Sequence, residues 1–423
     1  MPAQPGTATV RVNGVEYHRP ERPVVVVCVD GGDPAYLEAG FAAGVLPNLA
    51  RFAREGFSAI ADGTVPSFTC PNNMSLVTGV PASVHGISGN FFLDAATGEA
   101  VVMTGPELLR AETILAGFAR AGARVVSVTA KDKLRRQLGK GLDPLRDGSV
   151  SFSAEAADRC TAAEHGTDDA LALVGAPKPG TYSMELSTFV LDAGIRLLER
   201  LRPELSFLSL TDWVQHKWAP GTEEATRFYR LLDERLGRLA ALGATVAVTA
   251  DHGMSDMSRP DGAPNAVFLQ DLLDAEFGAG STRVVCPITD AFVAHHGSLG
   301  GFVRVWCRDG RAAPADVRRF VAAVPGVEAA HSREEACRRF DLPPDREGDV
   351  AVIAARGVCI GAGARDHDLS ALGGMRLRSH GSLHEARVPF VLSRPVDEGR
   401  RRSAAASLRS HQLFEFALNG TRA

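Results

Sequence analysis

Two kinds of pattern alternate along the chain. Short runs at 24–29, 124–129, 205–210, 244–249 and 388–392 are apolar with few polar interruptions, and each is strand-sized. Four of them lead directly into polar residues: Asp30, Lys131, Thr211-Asp212 and Asp251-His252. Between these runs, 46–55, 107–121, 188–200 and 224–242 repeat apolar residues at helical spacing. Strands apolar on both faces, separated by amphipathic helices, predict an α/β fold on a largely parallel central sheet covered on both sides. In such sheets ligands bind beyond the carboxyl ends of the strands, which is where the polar residues fall.

The stretch 259–375 reads differently. An extended run at 301–307, helical runs at 314–324 and 333–340, and a strand at 349–354 predict a smaller α+β insert, or cap, with Pro260-Asp261-Gly262-Ala263-Pro264 marking its edge. The main body is then expected at 1–258 and 376–423, with the insert at 259–375. No internal repeat is visible, and only 1–21 reads as a loosely held end.

Composition narrows the function. A chain of 423 residues, 45% of them hydrophobic, can bury a large core and does not read as disordered. The 46 basic and 50 acidic residues give a formal charge of −4, so no broad basic field exists to hold nucleic acid or an anionic membrane. The apolar runs are too short to span a bilayer, and 1–10 lacks the basic-then-apolar opening of a secretion signal. Seven scattered cysteines without a CxxC pair suit a reducing cytoplasm. Only five lysines stand against 41 arginines, so a position that keeps lysine stands out.

The strand-end residues offer metal-ligand chemistry. Asp212 and His216 are spaced i, i+4, which turns both side chains to one side if a helix begins there. Taken alone, that pair reads equally well as a capping aspartate and a surface histidine. Asp30, Asp251, His252 and His380, in Arg378-Ser379-His380-Gly381, add four more oxygen and nitrogen donors at corresponding positions. Six such donors suit two divalent cations, zinc by preference. A nucleophile is offered by Pro66-Ser67-Phe68-Thr69-Cys70-Pro71-Asn72-Asn73, where the proline predicts a helix start and Thr69 its cap. Free N–H groups and the helix dipole there favour an anion. Cys70 competes for the role, but no Cys–His pairing is visible. His295-His296, Asp366-His367-Asp368, His85 and His165 read as loop or locally bonded residues, and Trp213 and Trp218 as packing beside the Asp212 motif.

Asp30, Thr69, Asp212-x3-His216, Asp251-His252 and His380 together resemble the two-zinc core of the alkaline phosphatase superfamily. The surrounding wording resembles its phosphonoacetate hydrolase branch: Ser67-Phe68-Thr69, Val84-His85-Gly86-Ile87, Gly89-Asn90, Lys131-Asp132-Lys133, Asp212 to Gly221, and Ala250 to Met254. The resemblance covers roughly 22–255 and 376–395 and implies an alkaline-phosphatase-like sandwich. It implies one zinc on Asp212, His216 and His380, with His384 open as an alternative to His380, and a second on Asp30, Asp251, His252 and Thr69. It also implies Asn90, Lys131 and Lys133 as substrate-binding residues, a small-molecule phosphonate as substrate, and leaves a homodimer open.

The implied reaction cleaves a carbon–phosphorus bond through a phosphothreonine, giving acetate and phosphate. Lys131 and Lys133 flank Asp132 at a strand end, where two ammonium groups can meet the substrate carboxylate as charge moves into it. The nearest rival is a nucleotide phosphodiesterase or pyrophosphatase of the same superfamily, which would need an aromatic slot for a base. A non-catalytic metal-binding module would have no need of Thr69. A dinucleotide-binding oxidoreductase is disfavoured because Asp30 precedes Gly31-Gly32 and no GxGxxG follows.

Overall fold

The computed structural model describes residues 9–94, 97–288 and 297–421. A seven-stranded sheet runs through the main body in the order Phe57–Asp62, Arg387–Leu392, Thr245–Thr249, Val24–Cys28, Leu205–Ser209, Val125–Thr129, Val150–Ser153. The last five are parallel, and Arg387–Leu392 runs antiparallel to both of its neighbours. The sheet is therefore mixed, with one strand reversed.

Alternation along each strand divides the core in two. Val25, Val27 and Val29 pack against Phe189, Val190, Phe228 and Leu232 on one face. Val24, Val26 and Cys28 pack against Met74, Val77, Phe118 and Phe414 on the other. A strand buried on both sides gains from β-branched residues at every position, which is why these runs lack polar alternation. Helices Pro47–Glu55, Glu185–Leu201 and Glu223–Ala241 lie close to their expected bounds.

Within 259–375, strands Thr282–Val285, Phe302–Cys307, Val350–Ala354 and Val327–Ser332 form a separate antiparallel sheet, joined by helices Pro314–Ala322 and Arg333–Phe340. Its apolar cluster continues into Val65, Phe68, Ala82 and Ala386 of the main body.

Three expectations need correction. Residues 9–18 are a hairpin, Thr9–Val12 paired with Val15–His18, rather than a loose end. Its turn, Asn13-Gly14 with both φ positive, matches the twist of a two-residue hairpin, and Val10, Val12 and Tyr17 are buried. Residues 107–121 do not form one helix. A 3₁₀ turn at Pro106–Leu108 is separated from Ile114–Arg120, whose start is fixed by the Thr113 hydroxyl accepting from the Ala116 N–H. Thr69 is the first residue of helix Thr69–Thr78, and Phe68 occupies the cap without a side-chain bond. His295-His296 lie outside the described residues.

One long-range contact orders the helices beside the sheet. Helix Pro47–Glu55 follows Leu46, which offers no side-chain cap. The buried Asp233 carboxylate, from Glu223–Ala241, instead accepts from the N–H groups of Asn48 (3.1 Å) and Leu49 (2.7 Å). Asp233→Ala should cost about 3 kcal/mol in denaturant unfolding, because two buried N–H groups lose a charged acceptor. Asp233→Asn should cost less, since its amide oxygen keeps one bond.

Candidate metal and catalytic centre

The carboxyl ends of the parallel strands bring the six donor residues together. Asp30 follows Val24–Cys28, Asp251 and His252 follow Thr245–Thr249, and Asp212 and His216 follow Leu205–Ser209. His380 arrives from a distant part of the chain, just after the short strand Arg378–Ser379. The short strand Arg378–Ser379 pairs antiparallel with Ser255–Asp256, which sets His380 beside the loop carrying His252. Gly381 makes that approach possible: its φ is +123°, and a Cβ there would meet Phe68 Cε1 at 2.5 Å.

Two groups result, Asp212–His216–His380 and Asp30–Asp251–His252, each with its donor atoms within 4.8 Å of one another. Asp212 stands at the cap of helix Trp213–Lys217 but makes no capping bond. Its carboxylate lies 2.8 Å from His216 Nε2 instead. The rings of His252 and His380 stack at 3.5 Å, joining the two groups.

Every imidazole is oriented in the same way. Nδ1 donates to a main-chain carbonyl: His216 to Arg378 (2.7 Å), His252 to Gly253 (2.9 Å) and His380 to Ser67 (2.7 Å). A carbonyl only accepts, so the proton sits on Nδ1 and the Nε2 lone pair faces the site, as ligation requires. Burial holds His380 well below the usual histidine range, with His252 and His216 adding to the shift. Neutral imidazole is the form that binds a metal.

The carboxylates point the same way. Burial, reinforced by Asp212 and Asp251, raises Asp30 well above the usual carboxylate range. Burial also pushes Asp251 up to about 7, although its hydrogen bonds pull it down and Asp212 opposes them. Asp30 Oδ1 is a buried oxygen without a hydrogen bond. Three crowded aspartates, an orphaned carboxylate oxygen and three inward Nε2 atoms form a donor set suited to divalent cations.

Thr69 Oγ1 lies 3.3 Å from His252 Nε2, at the edge of the Asp30 group. Cys70 points into the core at 1% exposure, and burial pushes its thiol up to about 12, so it is the poorer nucleophile. Thr69, Asp30, Asp212 and His380 line one cavity together with Asn90, Lys131, Lys133, Thr129, Thr211 and Ile288. The Cys70 N–H donates to Asn90 Oδ1 at 2.9 Å, which fixes that amide and leaves its NH₂ as the remaining donor. Asp132, between the lysines, turns away to accept from Ser153 Oγ and Arg135. Burial lowers Lys133 from the usual lysine range, against the pull of Cys70, Asp212 and Asp30.

The remaining sequence candidates lie elsewhere. His384 Nε2 is 2.6 Å from Glu328 and belongs to neither donor group. His367 bonds Ala362 and Gly297 within its loop, while His85 bonds Ser75 and the Ile87 N–H. His165 likewise bonds Thr161, and Trp218 offers its carbonyl to Tyr36. Asn73 had been given no role by the sequence. Its amide donates to the Thr69 carbonyl and to Asp251 Oδ2, each at 3.1 Å, and accepts from Ser209 Oγ. Its i, i+4 spacing from Thr69 on one helix was the available signal.

A doubly covered sheet with a paired donor set and a helix-borne threonine defines a hydrolase architecture of the alkaline phosphatase superfamily. Residues 24–382 match the type I phosphodiesterase / nucleotide pyrophosphatase family, and the chain belongs to it. An uncharacterized pyrophosphatase/phosphodiesterase from Schizosaccharomyces pombe is 36% identical over 85 residues, 20% of this chain and 17% of that protein. Phosphonoacetate hydrolase from Sinorhizobium meliloti 1021, solved with phosphonoacetate and with phosphonoformate, is 45% identical over 98% of this chain and 99% of its own, with a TM-score of 0.93. Murine ectonucleotide pyrophosphatase / phosphodiesterase 5 is 18% identical over 95% of this chain and 96% of its own, with a TM-score of 0.63, and shares the fold.

His380→Ala should lower the divalent metal bound per chain, measured by elemental analysis after dialysis. His384→Ala should leave it at the wild-type value, because that imidazole faces Glu328.

Proposed function

We propose that the chain hydrolyses the carbon–phosphorus bond of phosphonoacetate, giving acetate and phosphate through a phosphothreonine on Thr69. The observation carrying this reading is one cavity that joins the two donor groups and Thr69 to a pair of lysines. A phosphonate needs cationic neutralisation at one end, and the carboxylate of phosphonoacetate needs it at the other. The 45% identity to a hydrolase solved with that compound supports the same substrate.

In this reading Asp212, His216 and His380 hold one zinc ion, and Asp30, Asp251, His252 and Thr69 the other. The chemistry supplied by such ions is neutralisation of phosphoryl charge and acidification of a nearby hydroxyl. Thr69 Oγ attacks phosphorus, forming the O–P bond as the P–C bond breaks. The Thr69 hydroxyl proton passes to solvent, and the P–C electron pair moves into the CH₂COO⁻ fragment, where Lys131 and Lys133 stabilise it until the carbon takes a proton from water. Asn90 donates its free amide N–H to a phosphoryl oxygen. Water then displaces the threonine and releases phosphate. Among the described residues no helix is long and apolar enough to cross a membrane. Residence in the cytoplasm is part of the proposal, supported by seven free thiols.

Phosphate release from phosphonoacetate is expected from zinc-loaded protein, with about two zinc ions per chain, and neither from chelator-stripped protein nor from Thr69→Ala. Release surviving either change overturns the mechanism. Replacing Lys131 and Lys133 by alanine should lower kcat/KM for phosphonoacetate by about 100-fold or more. An aryl phosphate ester, which has no carboxylate, should be turned over within a few-fold of wild type. Equal loss on both substrates would favour the phosphodiesterase reading instead.

A further inference from the structure

Lys131 is held on its outer side by a turn that no catalytic role explains. Thr181 and Tyr182 precede helix Glu185–Leu201, about fifty residues along the chain from the lysines. The Thr181 carbonyl lies 3.4 Å from Lys131 Nζ, and the ammonium sits 5.0 Å from the centroid of the Tyr182 ring. That ring packs at 5.2 Å, tilted, against Trp213, the residue after Asp212. Lys217 Nζ in turn lies 4.0 Å from the Trp213 centroid. Ammonium, ring, ring and ammonium thus form a chain linking Lys131 to helix Trp213–Lys217, which follows Asp212 and carries His216.

The physical consequence concerns a flexible side chain. A lysine ammonium on four methylenes loses considerable rotamer freedom when it must meet a substrate carboxylate at one place. A carbonyl and the face of an aromatic ring can hold it there beforehand without neutralising its charge, which a carboxylate partner would do. Lys131 is 9% exposed, so the contact is shielded from water. Tyr182 is 50% exposed, so its substitution removes little core.

We infer that Tyr182 is a positioning residue for Lys131, fixing the ammonium that receives the substrate carboxylate and so setting the preference for a carboxylate-bearing phosphonate. This rests on the phosphonoacetate reading above. Tyr182→Ala should raise KM for phosphonoacetate about five- to thirtyfold with kcat within about threefold, the range expected for a cation–ring contact. Tyr182→Phe, which keeps the ring, should stay close to wild type, and turnover of an aryl phosphate ester should be unaffected in both. In a Lys131→Ala background, adding Tyr182→Ala should cause no further rise, because the group it positions is gone.

An unchanged KM in Tyr182→Ala overturns the inference. So does a parallel loss on the aryl ester, or a full additional effect in the Lys131→Ala background. Wild-type protein inert towards phosphonoacetate would overturn the underlying reading instead, which separates the two failures.

Discussion

Three aspartates converge in a volume where water is nearly excluded, and much of the surrounding architecture deals with that crowding. Burial raises the proton affinity of Asp30 and Asp251, Asp212 adds to the rise at both, and Asp251 adds to it at Asp30. Asp251 is satisfied by the N–H groups of Gly31 and His252 and by the Asn73 amide. Asp30 Oδ1 is left to the centre itself. Each imidazole is anchored from behind by a main-chain carbonyl, so the lone pairs point inward without any side chain needing to be charged. A site built this way is preorganised for cations, and the repulsion stored among its carboxylates is the reason it suits them.

The Asn90 side of the cavity depends on the second sheet. Arg304, on Phe302–Cys307, is fully buried and paired with Glu347, and its Nη2 donates to the Ser88 carbonyl at 2.9 Å. The Asn90 N–H donates to the Pro287 carbonyl at 2.9 Å, while the Asn90 side chain accepts from Cys70. The Gly89-Asn90 segment is thus suspended between the insert and the start of the Thr69 helix. Phe68, buried in the insert's apolar cluster, pins that start from the other side. The second sheet and its apolar cluster thus contribute to the geometry around Thr69.

Much of this was legible because some physics is local. The i, i+4 spacing of Asp212 and His216 survives folding as a 2.8 Å contact, and the strand ends that carry Asp30 and Asp251 follow from apolar runs buried on both faces. The misreadings arose where local signals were weak or overridden. Phe57–Asp62 is an edge strand with exposed alternate positions, and Val150–Ser153 at the other edge is only four residues long. The hairpin at 9–18 carried its Asn13-Gly14 turn in plain view, but its stability comes from Tyr17 and Val12 packing on helices distant in sequence.

By itself the sequence determined the inventory: which residues could donate to a cation, which hydroxyl began a helix, and which two lysines survived in an arginine-rich chain. Periodicity also determined that a doubly covered sheet would set several of those residues at one edge. Only the tertiary structure sets His380 beside Asp212 and His216, because a two-residue strand pairing and one glycine with positive φ direct it inward and leave His384 facing Glu328. It alone fixed the tautomer of each imidazole and brought Tyr182 over Lys131. Spacing along the chain encodes direction only within one helix or strand. Contacts between residues fifty or three hundred positions apart are set by how separate elements pack.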